Sequence, residues 1–256
     1  AINRHLYNPA DGGYYAWLVD EERLLTEQVY NSMFDVFKRG IVPLDRREGL
    51  LKLLKDDSLF GYDSKWGITT MAKTCDRYVE TVGVYQGYTS WSGNIWTFRN
   101  RIIATGLLEA GLREEAAHIA LQTVRTFNGN YAEFVSPSTG EGHGVLRYGW
   151  SASEYIHLIA EVLFGIRYDA VTDTVTVTPC MPRELDGETV SIGNLRVGDQ
   201  YLHVTVKCGE EQEVSYRLTA SEEGSCRSNS KPITPSITPG CSWSWPLSFL
   251  SPSFSR

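Results

Sequence analysis

Two glutamates stand in a polar, glycine-rich loop and are the side chains of this sequence best suited to proton transfer. Glu133 and Glu141 fall within residues 131–144, Tyr-Ala-Glu-Phe-Val-Ser-Pro-Ser-Thr-Gly-Glu-Gly-His-Gly. A second loop upstream, residues 88–96, is rich in tryptophan. A carboxylate can accept or donate a proton, and flat aromatic rings can cover the apolar face of a sugar while excluding water. The two loops together therefore indicate a carbohydrate site.

Five further side chains have the chemistry to bind a sugar by stacking or hydrogen bonding: Trp91, Trp96, Trp150, Tyr88 and Gln86. A tryptophan next to a helix start, such as Trp96 or Trp150, can equally pack in the core. Hydroxyl and amide groups suit sugar hydroxyls but are common on any surface. Glu133 and Glu141 could, on the same grounds, be solvated loop acids, since loops run over the surface. The residues alone leave both interpretations open.

Three segments carry a resemblance to a known family. Residues 133–142, Glu-Phe-Val-Ser-Pro-Ser-Thr-Gly-Glu-Gly, resemble the Glu-aromatic-x-x-Pro-x-Thr-Gly-Glu-Gly segment of the six-hairpin glycosidases, in particular glycoside hydrolase family 63 and its mannosylglycerate-hydrolase-like relatives. Residues 90–96, Ser-Trp-Ser-Gly-Asn-Ile-Trp, are similar to that family's Tyr-Trp-Arg-Gly-Pro-x-Trp loop; the replaced Tyr, Arg and Pro bear on substrate preference. Residues 148–152, Tyr-Gly-Trp-Ser-Ala, resemble the opening of its last barrel helix. Together the motifs relate residues 1–165 to the family.

The resemblance implies an inverting glycosidase that acts on an α-linked glucoside or mannoside. It makes Glu133 the general base that activates water, opposite a general acid about 6.5–9.5 Å away so that water fits between them. Glu141 would orient the substrate. The family's acid comes from an earlier part of the barrel, so the resemblance implies that this chain lacks it. Asp63, the local alternative, is then expected to shape the sugar pocket or cap a turn.

The helical pattern indicates which elements carry these loops. Apolar residues at four-residue spacing predict a helix over residues 21–39, capped by Asp20 and closed by Gly40 in a left-handed conformation. Further helices are predicted over residues 45–55, 95–110, 113–127 and 151–164. Capping boxes are expected at Asp45–Glu48 and Ser151–Glu154. The fold is therefore predicted to be mainly α, with five helices. An (α/α)6 toroid needs twelve helices, so we expect the chain to form the C-terminal half of a toroid and to be a fragment of a longer enzyme.

After Gly165 the apolar pattern changes to a period of two, which is typical of half-exposed strands. Strands are predicted over residues 174–178, 201–207 and 213–218. They predict a small antiparallel β domain, residues 166–220, behind the barrel part at 1–165. The remaining segment, 221–256, contains 11 Ser and 5 Pro. Such a composition cannot bury enough apolar surface to fold, so we expect a disordered tail.

Composition excludes several classes of function. The net charge is −7, which argues against binding to nucleic acid or to an anionic membrane surface. No apolar run approaches the roughly 18 residues of a membrane span. The five cysteines are scattered without a Cys-x-x-Cys pair, and His143 beside Glu141 lacks further spaced ligands, so no metal is predicted. No cofactor motif is present, so no cofactor is predicted.

Three hypotheses for the function remain. The first is the inverting glycosidase, with a carbohydrate substrate. The second is a catalytically dead, carbohydrate-binding remnant of the same fold, because the acid is missing. The third is a scaffold of helical hairpins that binds protein. The helical hairpins lack a constant repeat length and are separated by loops rich in tryptophan and glycine, which argues against the third.

Overall fold

The computed structural model describes residues 1–80, 90–220 and 234–236. The chain divides into two compact units, Ala1–Ile159 and Ala160–Arg256. The first unit is mainly helical. Its α-helices within the described residues are α1 (Ile2–His5), α2 (Leu44–Lys55), α3 (Asp57–Phe60), α4 (Thr97–Glu109), α5 (Arg113–Phe127) and α6 (Gly149–His157). Short 3-10 helices span Asn31–Gly40 and Ser90–Ser92, and α6 continues into a π-helical turn, Leu158–Leu163.

The helix predicted over residues 21–39 is wrong in its first half. Residues 17–24 form a hairpin of strands β1 (Trp17–Leu18) and β2 (Arg23–Leu24), and the helix begins only at Asn31. The cause is tertiary: the amide of Leu25 bonds the carbonyl of Ala16, and the carbonyl of Val29 accepts from Ala72. These groups are therefore not available for a helical ladder. Gly40 does take the predicted left-handed conformation, with φ of 62°.

The hairpin of α4 and α5 forms the framework of the first unit. Both helices follow the prediction within two residues, and Gly111 between them has the positive φ that a tight helix end requires. Ten residues of α5 are buried. Gly106 of α4 allows close contact with the 3-10 helix, because a Cβ there would lie 3.1 Å from the amide nitrogen of Lys38. The hairpin is thus covered on both sides and holds the loops at its ends in fixed positions.

Both predicted capping boxes are wrong. Helix α2 begins at Leu44, directly after Pro43, so Asp45 lies inside the first turn. Its negative charge there interacts favourably with the positive end of the helix dipole. Helix α6 begins at Gly149, two residues before Ser151, and no side chain caps it. Glu154 then lies in the second turn and is buried. It has a different set of partners, described below.

The second unit contains two small sheets. Strand β5 (Ile166–Asp169) pairs with β6 (Thr174–Val177), which also pairs in parallel with β10 (Thr234–Ser236). The other sheet is an antiparallel meander of β7 (Thr189–Val197), β8 (Gln200–Lys207) and β9 (Glu213–Ala220). The three strands predicted from alternation are confirmed. Every second residue of β8, from Leu202 to Val206, is buried, as the period of two requires.

The remaining sequence predictions concern single features. No helix among the described residues is long and apolar enough to cross a membrane. In the same part of the chain Cys75, Cys180 and Cys208 are buried. The predicted disordered tail, 221–256, lies outside the described residues except for β10.

Candidate active site

The glutamate loop and the tryptophan loop are joined by backbone hydrogen bonds. Glu133 directly precedes β3 (Phe134–Val135), which pairs with β4 (Gly142–His143). On its other edge Val135 exchanges two hydrogen bonds of 2.9 Å with Ile95, at the end of the tryptophan loop. Ile95, Val135 and Phe127 of α5 form a fully buried cluster. The two loops predicted to form one site are therefore neighbours, fixed on the end of the α4–α5 hairpin.

Glu133 is held by the chain that follows β4. Its amide donates to the carbonyl of Val145 over 2.9 Å, and its Oε2 accepts from the amide of Val145 over 3.2 Å. The side chain is half-buried. Gly144 lies directly against it: a Cβ at that position would be 2.5 Å from Oε2. A glycine is needed here both for this close approach and for a φ of 72°.

Six aromatic rings form a continuous series, which we call the aromatic row; in order of contact they are Phe134, Trp96, Trp91, Phe98, Trp150 and Tyr148. Trp91 and Trp96 are stacked almost parallel, with ring centroids 4.0 Å apart. Trp96 stacks in turn on Phe134 at 5.3 Å. Phe98 meets Trp91 edge-on at 5.4 Å and stacks on Trp150 at 4.6 Å.

Burial separates the three predicted tryptophans into two groups. Trp96 is only 3% exposed and belongs to the core, where it supports its neighbours. Trp91 is 38% exposed and Trp150 is 46% exposed. Large apolar rings left open to water in a series with a buried support mark a binding surface more often than they mark packing. The structure therefore brings Trp91 and Trp150 together as exposed rings of one row that begins at the residue next to Glu133.

Glu141 contributes to the turn through its backbone. Its amide donates to the hydroxyl of Thr139 over 3.2 Å, and its carbonyl accepts from the amide of Ser136 over 2.9 Å. The carboxylate is exposed. Its role in substrate binding stays a prediction. The other two binding candidates, Gln86 and Tyr88, lie outside the described residues.

Glu80 holds the turn between β3 and β4 and was missed by sequence reasoning. Its carboxylate accepts hydrogen bonds from the Ser136 hydroxyl (2.9 Å), the Ser138 hydroxyl (2.7 Å) and the Ser138 amide (3.3 Å). Burial, together with the charge of Glu80, raises the pKa of the neighbouring Tyr78. No local pattern links Glu80 to a turn 56 residues away. The one sequence signal is the pair of serines in the turn, because their hydroxyl groups can donate hydrogen bonds to a carboxylate.

A second missed group is a segment of turns and bends, residues 62–66, that runs along α5. His118, Gln122 and Thr126 are spaced one helical turn apart. Their side chains contact the carbonyls of residues 62, 64 and 66, including 3.0 Å from His118 Nε2 to Tyr62 and 2.8 Å from the Thr126 hydroxyl to Trp66. The segment ends with the Trp66 ring against Gly140, where a Cβ would lie 2.5 Å from the indole. Through Trp66 the segment thus packs against the turn between β3 and β4.

Asp63 belongs to this segment. It is exposed, its Oδ1 lies 3.5 Å from His118 Nε2, and its amide donates to Asp57 over 3.1 Å. His118 precedes the end of α5 at Phe127 by nine residues, a rise of about 14 Å. Asp63 therefore lies towards the end of α5 remote from the Glu133 loop, and its backbone is part of a turn.

Glu154 links α6 to α4 instead of capping a helix. Its Oε2 accepts from Arg101 Nε over 2.5 Å, and its Oε1 accepts from the indole nitrogen of Trp150 over 2.9 Å. Glu154 is 7% exposed. Within the described residues no group of three or more His, Cys, Asp or Glu side chains could hold a metal ion.

The comparisons with known proteins show the family of the chain. Residues 1–151 match the family of mannosylglycerate hydrolase MGH1-like glycoside hydrolase domains, and the chain belongs to this family. The match includes Glu133, the tryptophan loop and the start of α6. The glycosidase resemblance stated from the motifs is thereby confirmed at the level of the family.

This chain covers only part of the length of each individual relative. The chain is 27% identical over 135 residues to a glucosylglycerate hydrolase of Mycolicibacterium hassiacum, which is 52% of this chain and 28% of that protein. It is similar in fold to the mannosylglycerate hydrolase of Thermus thermophilus, a member of glycoside hydrolase family 63. The complex with glucose gives a TM-score of 0.51 at 19% identity, covering 60% of this chain and 36% of that one. The complex with Tris and D-glycerate gives 0.50 at 18% identity, covering 60% and 35%.

Proposed function

We propose that the chain contributes the base side of the active site in an inverting glycoside hydrolase that acts on α-linked glucosides or mannosides. The observation that carries the proposal is the pairing of Val135 with Ile95, which joins the glutamate loop to the tryptophan loop. Family membership supports glycoside chemistry. The relatives are hydrolases of glucosylglycerate and mannosylglycerate, which favours a hexose linked to a small hydroxy acid as the substrate.

In this mechanism Glu133 is the general base. It removes a proton from a water molecule, which attacks the anomeric carbon from the face opposite the leaving group. The backbone of Val145 holds the carboxylate in place on one side. A general acid must protonate the leaving oxygen, a contribution typically worth about 10²–10⁴-fold. Asp63 is unsuited to that role because it contacts the other end of α5, so we assign the acid to a part of the barrel outside this chain.

The aromatic row provides the surface for the sugar. Trp91 and Trp150 would stack on apolar sugar faces, and the buried Trp96 would keep Trp91 in position. Glu141, Gln86 and Tyr88 would bind hydroxyl groups. The chain spans 28% of the glucosylglycerate hydrolase and 36% of the mannosylglycerate hydrolase, which supports our proposal that residues 1–165 are half of an (α/α)6 toroid. A β domain, 166–220, and a tail, 221–256, complete the proposed division.

A second function has one observation in its favour. If the acid is absent from the whole protein, the same row of rings would still bind sugar, and the protein would be a carbohydrate-binding remnant of the fold. The position of Asp63 favours this candidate as much as it favours an acid elsewhere. No contact among the described residues favours the protein-binding scaffold.

The first test asks whether the aromatic row binds sugar, as both the hydrolase and the remnant require. The protein encoded by the complete gene, with Glu133→Gln to prevent turnover, is titrated with glucosylglycerate, and quenching of tryptophan fluorescence reports binding. Trp91→Ala should weaken binding several-fold, whereas Trp17→Ala should not. Trp17 is a matched control, because it is 39% exposed and lies outside the row.

The second test uses the protein encoded by the complete gene. It should release the sugar with inverted anomeric configuration, observed by proton NMR of the first product. Retention of configuration would overturn the assigned mechanism. Binding that depends on Trp91, without hydrolysis, would identify the remnant, and the absence of both would overturn the carbohydrate site itself.

A further inference from the structure

Trp150 is held from two directions although it is one of the most exposed rings of the row. Its indole face stacks on Phe98 at 4.6 Å, and its ring nitrogen donates to Glu154 over 2.9 Å. Trp150 and Glu154 are four residues apart on α6, so they share one face of the helix. A stacking contact alone leaves a ring free to slide and rotate in its own plane. The hydrogen bond at the ring nitrogen removes that freedom.

Glu154 is itself fixed by Arg101. The guanidinium donates to both carboxylate oxygens, over 2.5 Å from Nε and 3.3 Å from Nη2. Both side chains are largely buried: counting side-chain atoms alone, Arg101 is 20% exposed and Glu154 is 10% exposed. A buried ion pair contributes little net stability compared with apolar residues of the same volume. The pair is therefore better explained by the geometry it imposes than by the stability it adds.

We infer that Glu154 is a positioning residue for sugar binding: it fixes the orientation of Trp150, and Arg101 fixes Glu154. The inference rests on the proposed function, in which Trp150 stacks on the sugar. Glu154 does not reach the substrate in this arrangement. A tryptophan that is already ordered loses less conformational entropy when a ligand binds, which is worth about 2- to 10-fold in affinity.

The experiment compares a variant that keeps an acceptor for the indole with one that removes the hydrogen bond. Glu154→Gln keeps an acceptor for the indole but removes the negative charge that faces the guanidinium, so it should retain more of the protection and affinity than the second variant. Arg101→Met combined with Glu154→Leu removes both charges at similar volume, so no buried charge is left uncompensated and folding is preserved. Glu48→Gln on the exposed face of α2 is the matched control for the loss of one carboxylate.

The first measurement is independent of activity. In protein with isotope-labelled tryptophan, the indole N–H resonance of Trp150 is identified by its loss in Trp150→Phe. We expect it to be protected from exchange with solvent in the wild type and in Glu48→Gln. In the double variant the protection should be lost. If the indole N–H of Trp150 stays as well protected from exchange in the double variant as in the wild type, the inference is overturned.

The second measurement is the affinity for glucosylglycerate of the protein encoded by the complete gene, with Glu133→Gln to prevent turnover. The double variant should bind about 2- to 10-fold more weakly. In the Trp150→Phe background the same double substitution should have no further effect, because the indole N–H through which Glu154 acts is absent. An equal effect in both backgrounds, or no effect in either, would overturn the positioning role. If Trp150→Ala itself leaves binding unchanged, the proposed function of the row fails rather than the role of Glu154 alone.

Discussion

The contact between Gly144 and Glu133 gives the sharpest test of the proposed base. In Gly144→Ala the new Cβ would lie 2.5 Å from Oε2 of Glu133, whereas ordinary van der Waals contact begins at 3.4 Å. The carboxylate would have to retreat by about 0.9 Å and give up its hydrogen bond to Val145. A displacement of about 1 Å in a reacting group can cost about 10²-fold in rate. We therefore expect kcat to fall about 10²-fold.

The control is Gly129→Ala. Gly129 has a φ of 73°, nearly identical to the 72° of Gly144, but a Cβ there meets nothing within 4 Å. Both substitutions place alanine in the left-handed region, at a cost of about 1–2 kcal/mol in the free energy of unfolding. In a chain of this size that lowers Tm by about 2–4 °C for each kcal/mol. The two variants thus share the backbone strain and differ in the contacts of the new Cβ, which at position 144 would also lie 2.9 Å from Cβ of Glu133 and 2.9 Å from the Phe134 ring.

The assay is kcat on glucosylglycerate for the protein encoded by the complete gene, with Tm measured on the same samples. We expect both variants to lose stability and only Gly144→Ala to lose most of its activity. Equal loss of kcat in both would mean that backbone strain, and not the carboxylate, limits the reaction. Wild-type kcat in Gly144→Ala would refute the assignment of Glu133.

The same site supports three further predictions. Glu133→Gln should lower kcat by at least about 10²-fold with sugar affinity kept, because an amide cannot accept the proton from water; Glu141→Gln should be milder, and the reverse order in kcat would show that the two roles are exchanged. Glu80→Gln should raise KM more than it lowers kcat, because the turn loses charge-assisted hydrogen bonds, each worth about 1.5–3 kcal/mol; an unchanged KM would contradict the role given to Glu80. The chain alone should associate and hydrolyse an aryl α-glucoside poorly, since half a toroid exposes apolar helix faces; a monodisperse, active monomer in light scattering and activity assays would make Asp63 the first candidate for an internal acid.

Local sequence signals were sufficient for the helices whose contacts agree with their periodicity. The apolar run from Leu50 to Leu54 indicates α2, and Gly111 and Gly129 indicate where α4 and α5 end, each with the positive φ that this requires. The region before Asn31 shows the limit. The stripe through Leu25 and Val29 is helical in spacing, yet their backbone groups bond Ala16 and Ala72. Periodicity describes which side chains face the core and does not determine where backbone hydrogen bonds go.

The sequence predicts the residues of the candidate site where several polar or aromatic side chains stand close together in one loop. Glu133 and Trp91 stand in such segments. Glu80 and Trp66 could not be found in this way, because each acts on the glutamate loop from a distant part of the sequence. Glu154 was assigned to a cap because Ser151 precedes it by three residues. The helix in fact starts at Gly149, and that shift of two residues turns the side chain towards Arg101.

The reciprocal hydrogen bonds between Ile95 and Val135 have a consequence for how the site opens. Both residues are fully buried, so their amides can exchange with deuterium only when the two loops separate from the end of the α4–α5 hairpin. One opening event then exposes both amides, and they should share one exchange free energy. That event also detaches Glu133 from the stacked tryptophans. We therefore expect the carboxylate and the stacking surface to open together, as one cooperative unit.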